Sequence, residues 1–153
     1  MASTDHEVGH DRHSSFAVLK ELDLDHNSLL MFTWNFLEDS RVNMIEAREY
    51  RGFRENWDNC TSELVEQMFV RAKDSPSFIA TILGPLLKWE ANICKGMFPI
   101  VDFVANKFDC NEDILNVLNN FNDRLVHCHL ILDKEEGTKA TYQLAYDILN
   151  KLG

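Results

Sequence analysis

The chain of 153 residues is poor in the residue types that mark several protein classes. It contains 3 prolines, 6 glycines and 4 cysteines, which excludes collagen-like, low-complexity and disulfide-rich folds. No apolar run approaches the about 18 residues of a membrane span. Hydrophobic residues nevertheless make up 45% of the chain, so a sizeable core is expected and wholesale disorder is not.

Basic residues are also scarce. There are 15 Lys and Arg against 25 Asp and Glu, a formal net charge of -10. Nucleic-acid binders need a basic surface that neutralises phosphates, so we expect no nucleic-acid partner. The one basic cluster, made of Arg41, Arg48, Arg51 and Arg54, is interpreted as a solvated helix face.

The N-terminal residues 1–15 are polar and rich in histidine. They lack the apolar core of a signal peptide, so we expect a cytoplasmic protein with a flexible tail over 1–15 and a single helical domain over 16–153. The cysteines contain no C-x-x-C pair, and in a reducing compartment they are expected to be small buried hydrophobes. They are Cys60, Cys94, Cys110 and Cys128.

The stretch from Trp89 to Leu132 predicts a central antiparallel hairpin of two helices. Apolar residues of the second helix recur at helical spacing, and a turn with a helix start is expected over 109–112. Because such a hairpin cannot bury its apolar face alone, the sequence predicts an all-α bundle of five to seven helices. The repeating residues are Ile114, Leu118, Phe121, Leu125, Cys128 and Leu132.

Further helices are predicted on both sides of the hairpin. One runs through Leu30 to Leu37, with a break or bend at 38–40, and a long one follows from Val42 to Lys73 with a weak point at Gly52. Phe78 to Leu87 is apolar but divided by Gly84 and Pro85, so it is either a short buried turn or the start of a helix at Pro85. Thr138 is predicted to cap a last helix with one apolar side, made of Tyr142, Ala145, Leu149 and Leu152.

Two motifs suggest metal chemistry. His6, Glu7 and His10 fit H-E-x-x-H, the zinc-protease pattern of two ligands and a general base. No scaffold precedes the motif, so a histidine-rich tail is the preferred interpretation. On a helix, His127 and His129 point about 200° apart, so we interpret Cys128 as a core residue between two partly exposed histidines. We expect no metal, no cofactor and no enzymatic activity.

The segment from about Arg54 to Glu135 resembles the GAT domain, a three-helix bundle of clathrin and endosomal trafficking adaptors. Residues 64–69 (LVEQMF) are similar to its first helix, residues 94–97 (CKGM) to its second, and Val117, Leu118 and the run 122–125 (NDRL) to its third. Pro99 and the apolar stretch 78–87 depart from the family pattern. Asn27 to Leu30 resembles the Arf-binding hook of the adaptor subclass.

The resemblance implies a protein-interaction module with ubiquitin or a small GTPase as partner. A helical peptide is the other partner class that we consider. By position, Leu64 and Met68 would contact ubiquitin, and Asn27 and Leu30 would contact the GTPase. A small Leu and Met patch suits weak, reversible binding. Two alternatives are open: a Bcl-2-like helical groove protein with 78–87 as its central helix, and a zinc hydrolase that uses the N-terminal motif.

Overall fold

The computed structural model describes residues 14, 29–50, 52, 82–94 and 110–152. Within these residues the chain forms helices and no strand, which confirms the all-α prediction there. Of the predicted tail, only Ser14 is described, and it is buried. The helices are α1 (Leu29–Glu49), α2 (Gly84–Ile93), α3 (Glu112–Asn119), α4 (Asn122–Leu130) and α5 (Lys134–Leu152).

The described residues fall into two compact units. The first contains Gly52, 82–94 and 110–120, and in it α2 packs against α3. The second contains Ser14, 29–50 and 121–152, and in it α1 packs against α4 and α5, which also contact each other. The prediction of one domain over 16–153 stays a prediction.

Helix α1 is continuous over 21 residues, so the predicted break at 38–40 is wrong. The polar residues there find partners without leaving the helix: Arg41 donates to Glu38 one turn earlier at 2.6 Å, and Ser40 bonds to His129 of α4. The prediction of a long helix from Val42 is also wrong, because α1 ends at Glu49. The rest of that predicted helix, 53–73, lies outside the described residues.

Helix α2 begins at Gly84 with Pro85 in its first turn. The α-helical part therefore begins within one residue of Pro85, as that alternative predicts and as suits a proline. Residues 82–83 directly before it are already helical, however, in a wider π-type turn. Leu86 and Trp89 of α2 are buried, as are Leu115 and Leu118 of α3. These side chains are therefore part of the core of the first unit.

The predicted second hairpin helix over 114–132 is two helices. Helix α3 starts as predicted, with Asn111 capping it by accepting hydrogen bonds from the N–H groups of Asp113 and Ile114. It ends at Asn119 because two adjacent asparagines favour a terminus over a helix interior. Helix α4 starts at Asn122. Most of the first hairpin helix, 95–109, lies outside the described residues.

Helix α5 begins at Lys134, four residues before the predicted cap at Thr138. Asp133 is the residue that caps it, because its carboxylate accepts a hydrogen bond from the N–H of Glu136 at 2.9 Å. Thr138 is instead fully buried. The buried face of α5 also includes Leu144 and Ile148. Of the four residues predicted for the apolar side, Ala145 is on this buried face and the other three are not.

Two of the three cysteines in the described residues are buried, as expected: Cys94 and Cys128. Cys110 is only half-buried. Burial raises the pKa of the Cys128 thiol to about 11, so this side chain is an uncharged apolar group at neutral pH.

Candidate functional site

Exposed apolar side chains are concentrated at the end of α4. Six large apolar residues are exposed in the described part of the chain: Leu29, Tyr50, Val126, Leu130, Leu132 and Tyr146. Three of them lie between positions 126 and 132. We name Val126, Leu130 and Leu132 the α4 apolar segment. Val126 and Leu130 are four residues apart and therefore share one face of the helix.

The chain alternates between buried and exposed residues at this point. His129 and Ile131 are 2% and 9% exposed, whereas Leu130 and Leu132 are 62% and 61% exposed. Helix α4 ends at Leu130, and Ile131 has extended backbone angles, φ -81° and ψ 115°. In extended backbone, successive side chains point to opposite sides. Leu132 therefore faces away from Ile131, and its predicted place in the core is wrong.

Polar residues of α1 form hydrogen bonds with the two buried residues, His129 and Ile131. Arg48 donates to the carbonyl oxygen of His129 at 2.7 Å, and Arg41 donates to that of Ile131 at 2.7 Å. Ser40 Oγ and His129 Nε2 share a hydrogen bond of 2.9 Å. We name Ser40, Arg41 and Arg48 the α1 anchor.

Arg41 is fully buried, so the interpretation of the arginine cluster as a solvated face is wrong at this residue. Its Nε donates to the Glu38 carboxylate at 2.6 Å, and both side chains are 0% exposed. A buried charge needs such a paired and hydrogen-bonded partner. The Arg41 guanidinium also lies against Gly137 of α5, where a Cβ atom would be 2.8 Å from Nε and closer still to the other guanidinium atoms.

His129 is buried, contrary to the prediction that both histidines beside Cys128 are partly exposed; only His127 is. Burial, together with the nearby charges of Arg48 and Arg41, lowers the pKa of His129 to about 4. The ring is therefore neutral at pH 7. Ser40 and His129 lie within bonding distance like a nucleophile and its base, but both are about 2% exposed, so a substrate would not reach them.

Helices α4 and α5 are joined at the surface by an ion pair. Arg124 donates to the Asp147 carboxylate at 2.6 Å, and Gln143 donates to its other oxygen at 2.9 Å. The hydrogen bond from Arg124 is the main reason that the pKa of Asp147 lies below its ordinary value. Both partners of the ion pair are more than a third exposed, so solvent screening limits its contribution to stability.

Of the predicted partner-binding residues, only Leu30 is described. It is half-buried in the first turn of α1. Asn27, Leu64 and Met68 lie outside the described residues, as do His6, Glu7 and His10. Among the described residues, no group of three or more His, Cys, Asp or Glu side chains is placed to bind a metal ion.

The sequence analysis missed the α4 apolar segment because it assigned Leu132 to a helical apolar face and did not consider Leu130. The signal was the run His129-Leu130-Ile131-Leu132 before the charged residues 133–136, which fits an alternating as well as a helical pattern. None of the described helices is both long enough and apolar enough to cross a membrane.

Comparison of the chain with protein-family models, with curated proteins and with solved structures found no match.

Proposed function

We propose that this chain is a non-catalytic, cytoplasmic protein-interaction module that binds ubiquitin through an exposed apolar helix face. The observation that carries the proposal is the α4 apolar segment, in which Leu130 and Leu132 are each about three-fifths exposed. When a partner covers exposed leucines, each Å² of apolar surface removed from water contributes about 25 cal/mol of favourable free energy. A cluster of this small size suits a weak, reversible contact.

The charge around the segment supports a protein partner with basic residues at the rim of its apolar contact. Asp133, Glu135 and Glu136 follow Leu132 directly and are exposed, and the chain as a whole has a net charge of -10. The same charge disfavours nucleic acid. The choice of ubiquitin over other proteins rests on the resemblance to the GAT domain, in which Leu64 and Met68 are the implied contacts.

The test is a titration of ¹⁵N-labelled ubiquitin with the full chain, followed by its amide spectra. We expect chemical-shift changes that saturate at high micromolar to millimolar concentration of the chain. The double variant Leu130→Ser, Leu132→Ser should abolish them, whereas Leu29→Ser should not. Leu29 is the control because it is also an exposed leucine but lies far from the α4 apolar segment. At 1.5 Å of rise per residue, it is about 16 Å along α1 from Ser40, the residue that contacts His129.

A third variant, Leu64→Ser with Met68→Ser, separates the two candidate faces. If it alone abolishes the shift changes, ubiquitin binds the face implied by the resemblance and not the α4 apolar segment. Unchanged ubiquitin spectra with the unaltered chain at millimolar concentration would exclude ubiquitin as the ligand.

A second candidate function is a Bcl-2-like groove that binds an amphipathic helical peptide. It is favoured by the burial of α2 and its neighbours. From Leu83 to Cys94 only Asn92 is exposed, as expected of a central helix. Fluorescence polarisation with a labelled amphipathic helical peptide tests it. Saturable peptide binding together with silent ubiquitin spectra would favour the groove.

A further inference from the structure

We propose that the α1 anchor sets the outward display of Leu130 and Leu132, so that partner affinity depends on Ser40, Arg41 and Arg48, which need not touch the partner. This inference rests on the proposed function, because it concerns the same exposed leucines. It adds positioning residues to that site.

Helix α4 has only 9 residues, fewer than the about 12 to 15 that an isolated helix needs to be even marginally stable in water. The last four carbonyl groups of any helix also lack partners within the helix. The His129 carbonyl receives the guanidinium of Arg48, and the Ile131 carbonyl beyond the end of α4 receives that of Arg41. Positive charge at this end also complements the helix dipole.

A frayed end of α4 would let its exposed leucines turn onto nearby apolar surface, because burial of apolar area is favourable. The α1 anchor opposes this by fixing the residues on either side of Leu130. The His129 ring and carbonyl and the Ile131 carbonyl are all bonded to α1. With 129 and 131 directed inward, the alternation places 130 and 132 outward. The display is therefore built into the free chain and lowers the ordering needed on binding.

Arg41 also links the end of α4 to α1 and to α5. Its guanidinium pairs with Glu38 within α1 and lies against Gly137 of α5. Replacing Arg41 would leave the buried Glu38 carboxylate without its partner. Arg48, in contrast, is exposed, so its replacement leaves no fully buried charge unpaired. It is the better residue to test.

The experiment compares Arg48→Met, Arg48→Lys and Arg124→Met in the full chain. Arg124→Met removes the same charge from a residue of α4 that pairs with Asp147 of α5 and lies over the Phe121 ring, so it is the matched control. Two quantities are measured: the amide hydrogen-exchange rates of Leu130, the last residue of α4, and Ile131, whose N–H donates to the Cys128 carbonyl, and the dissociation constant for ¹⁵N-labelled ubiquitin. Circular dichroism verifies that each variant is folded.

We expect Arg48→Met to raise the exchange rates of Leu130 and Ile131 roughly ten-fold, the scale set by one hydrogen bond from a charged group. Ubiquitin affinity should fall roughly three- to ten-fold because the display is no longer pre-organised. Arg48→Lys should restore part of both, and Arg124→Met should change neither. If Arg48→Met unfolds the chain, Ser40→Ala is used, and the same direction of change is expected.

Wild-type exchange rates in Arg48→Met would overturn the inference, whatever happens to ubiquitin binding. Weaker ubiquitin binding with unchanged exchange would mean that Arg48 contacts the partner directly, which also overturns it. Faster exchange in a chain that does not bind ubiquitin at all would support the anchor and refute the proposed partner. The two proposals therefore fail separately.

Discussion

Gly137 lies where the guanidinium of Arg41 reaches α5, and a Cβ atom there would overlap guanidinium atoms. We expect Gly137→Ala to lower the free energy of unfolding. Alanine favours a helix by about 1 kcal/mol, whereas a fully broken buried pair costs about 3 to 5 kcal/mol. Because the flexible end of Arg41 can shift and keep part of its pairing, we expect a net loss of about 1 to 2 kcal/mol. Urea unfolding followed by circular dichroism measures it.

Gly52 is the control for this prediction, because a Cβ atom there would meet nothing within 4 Å. Gly52→Ala should change the free energy of unfolding by less than about 0.5 kcal/mol. A Gly137→Ala variant as stable as the unaltered chain would mean that Arg41 moves aside without loss.

His129 gives the second unit a pH-dependent stability. Its pKa is about 4 in the folded chain, because of burial and of Arg48 and Arg41, against an ordinary value of 6.5. The unfolded chain therefore binds the proton more tightly, and stability must rise with pH between these values. The stabilisation is fully present above pH 6.5 and is lost as the pH falls to 4, by on the order of 3 kcal/mol.

Urea unfolding at pH 7.5 and pH 4.5 tests this prediction in the unaltered chain and in His129→Gln. The variant is expected to lose less stability between the two pH values, because it lacks the titrating ring. His127→Gln, at the exposed histidine two residues away, should retain the full loss. Equal pH dependence in all three proteins would contradict the assignment to His129.

At the scale of the element, α3 depends on its cap. Asn111 accepts hydrogen bonds from two N–H groups of the first turn, at 3.0 and 3.2 Å. Asn111→Ala should reduce the stability of α3 by about 1 kcal/mol, whereas Asn111→Asp keeps the acceptor and should not. The amide exchange rates of residues 113–118 measure the effect.

Asn116 provides a control within the same helix, because it is exposed and lies away from the terminus. Asn116→Ala should leave the exchange rates equal or slower, since alanine is the better helix former. If both alanine variants behave alike, the cap contributes nothing to α3.

At the scale of the whole molecule, the N-terminal H-E-x-x-H motif separates a binding module from a zinc hydrolase. We expect a chain that lacks residues 1–13, and so keeps the buried Ser14, to retain its unfolding midpoint and its affinity for ubiquitin. Thermal unfolding with and without added zinc and a ubiquitin titration measure both. Loss of a zinc-dependent hydrolytic activity on deletion would instead support the hydrolase.

The helical class and several termini were predictable from local sequence. Asn111 before an acidic first turn marked the start of α3, and Pro85 marked the start of α2, because caps and proline act over one helical turn. The continuity of α1 was not predictable. The polar run 38–40 predicts a helix break until the partners of Glu38 and Ser40, which are Arg41 and His129, are known.

The helical class of the described residues follows from local sequence, since the 3.6-residue spacing of apolar residues is a local property. The burial of Arg41 and His129 and the exposure of Leu130 and Leu132 depend on contacts between distant segments. The reason is that a charged or polar side chain enters a core only when groups distant in sequence supply its hydrogen bonds. Ile131 lies 90 positions from Arg41, and His129 lies 89 from Ser40.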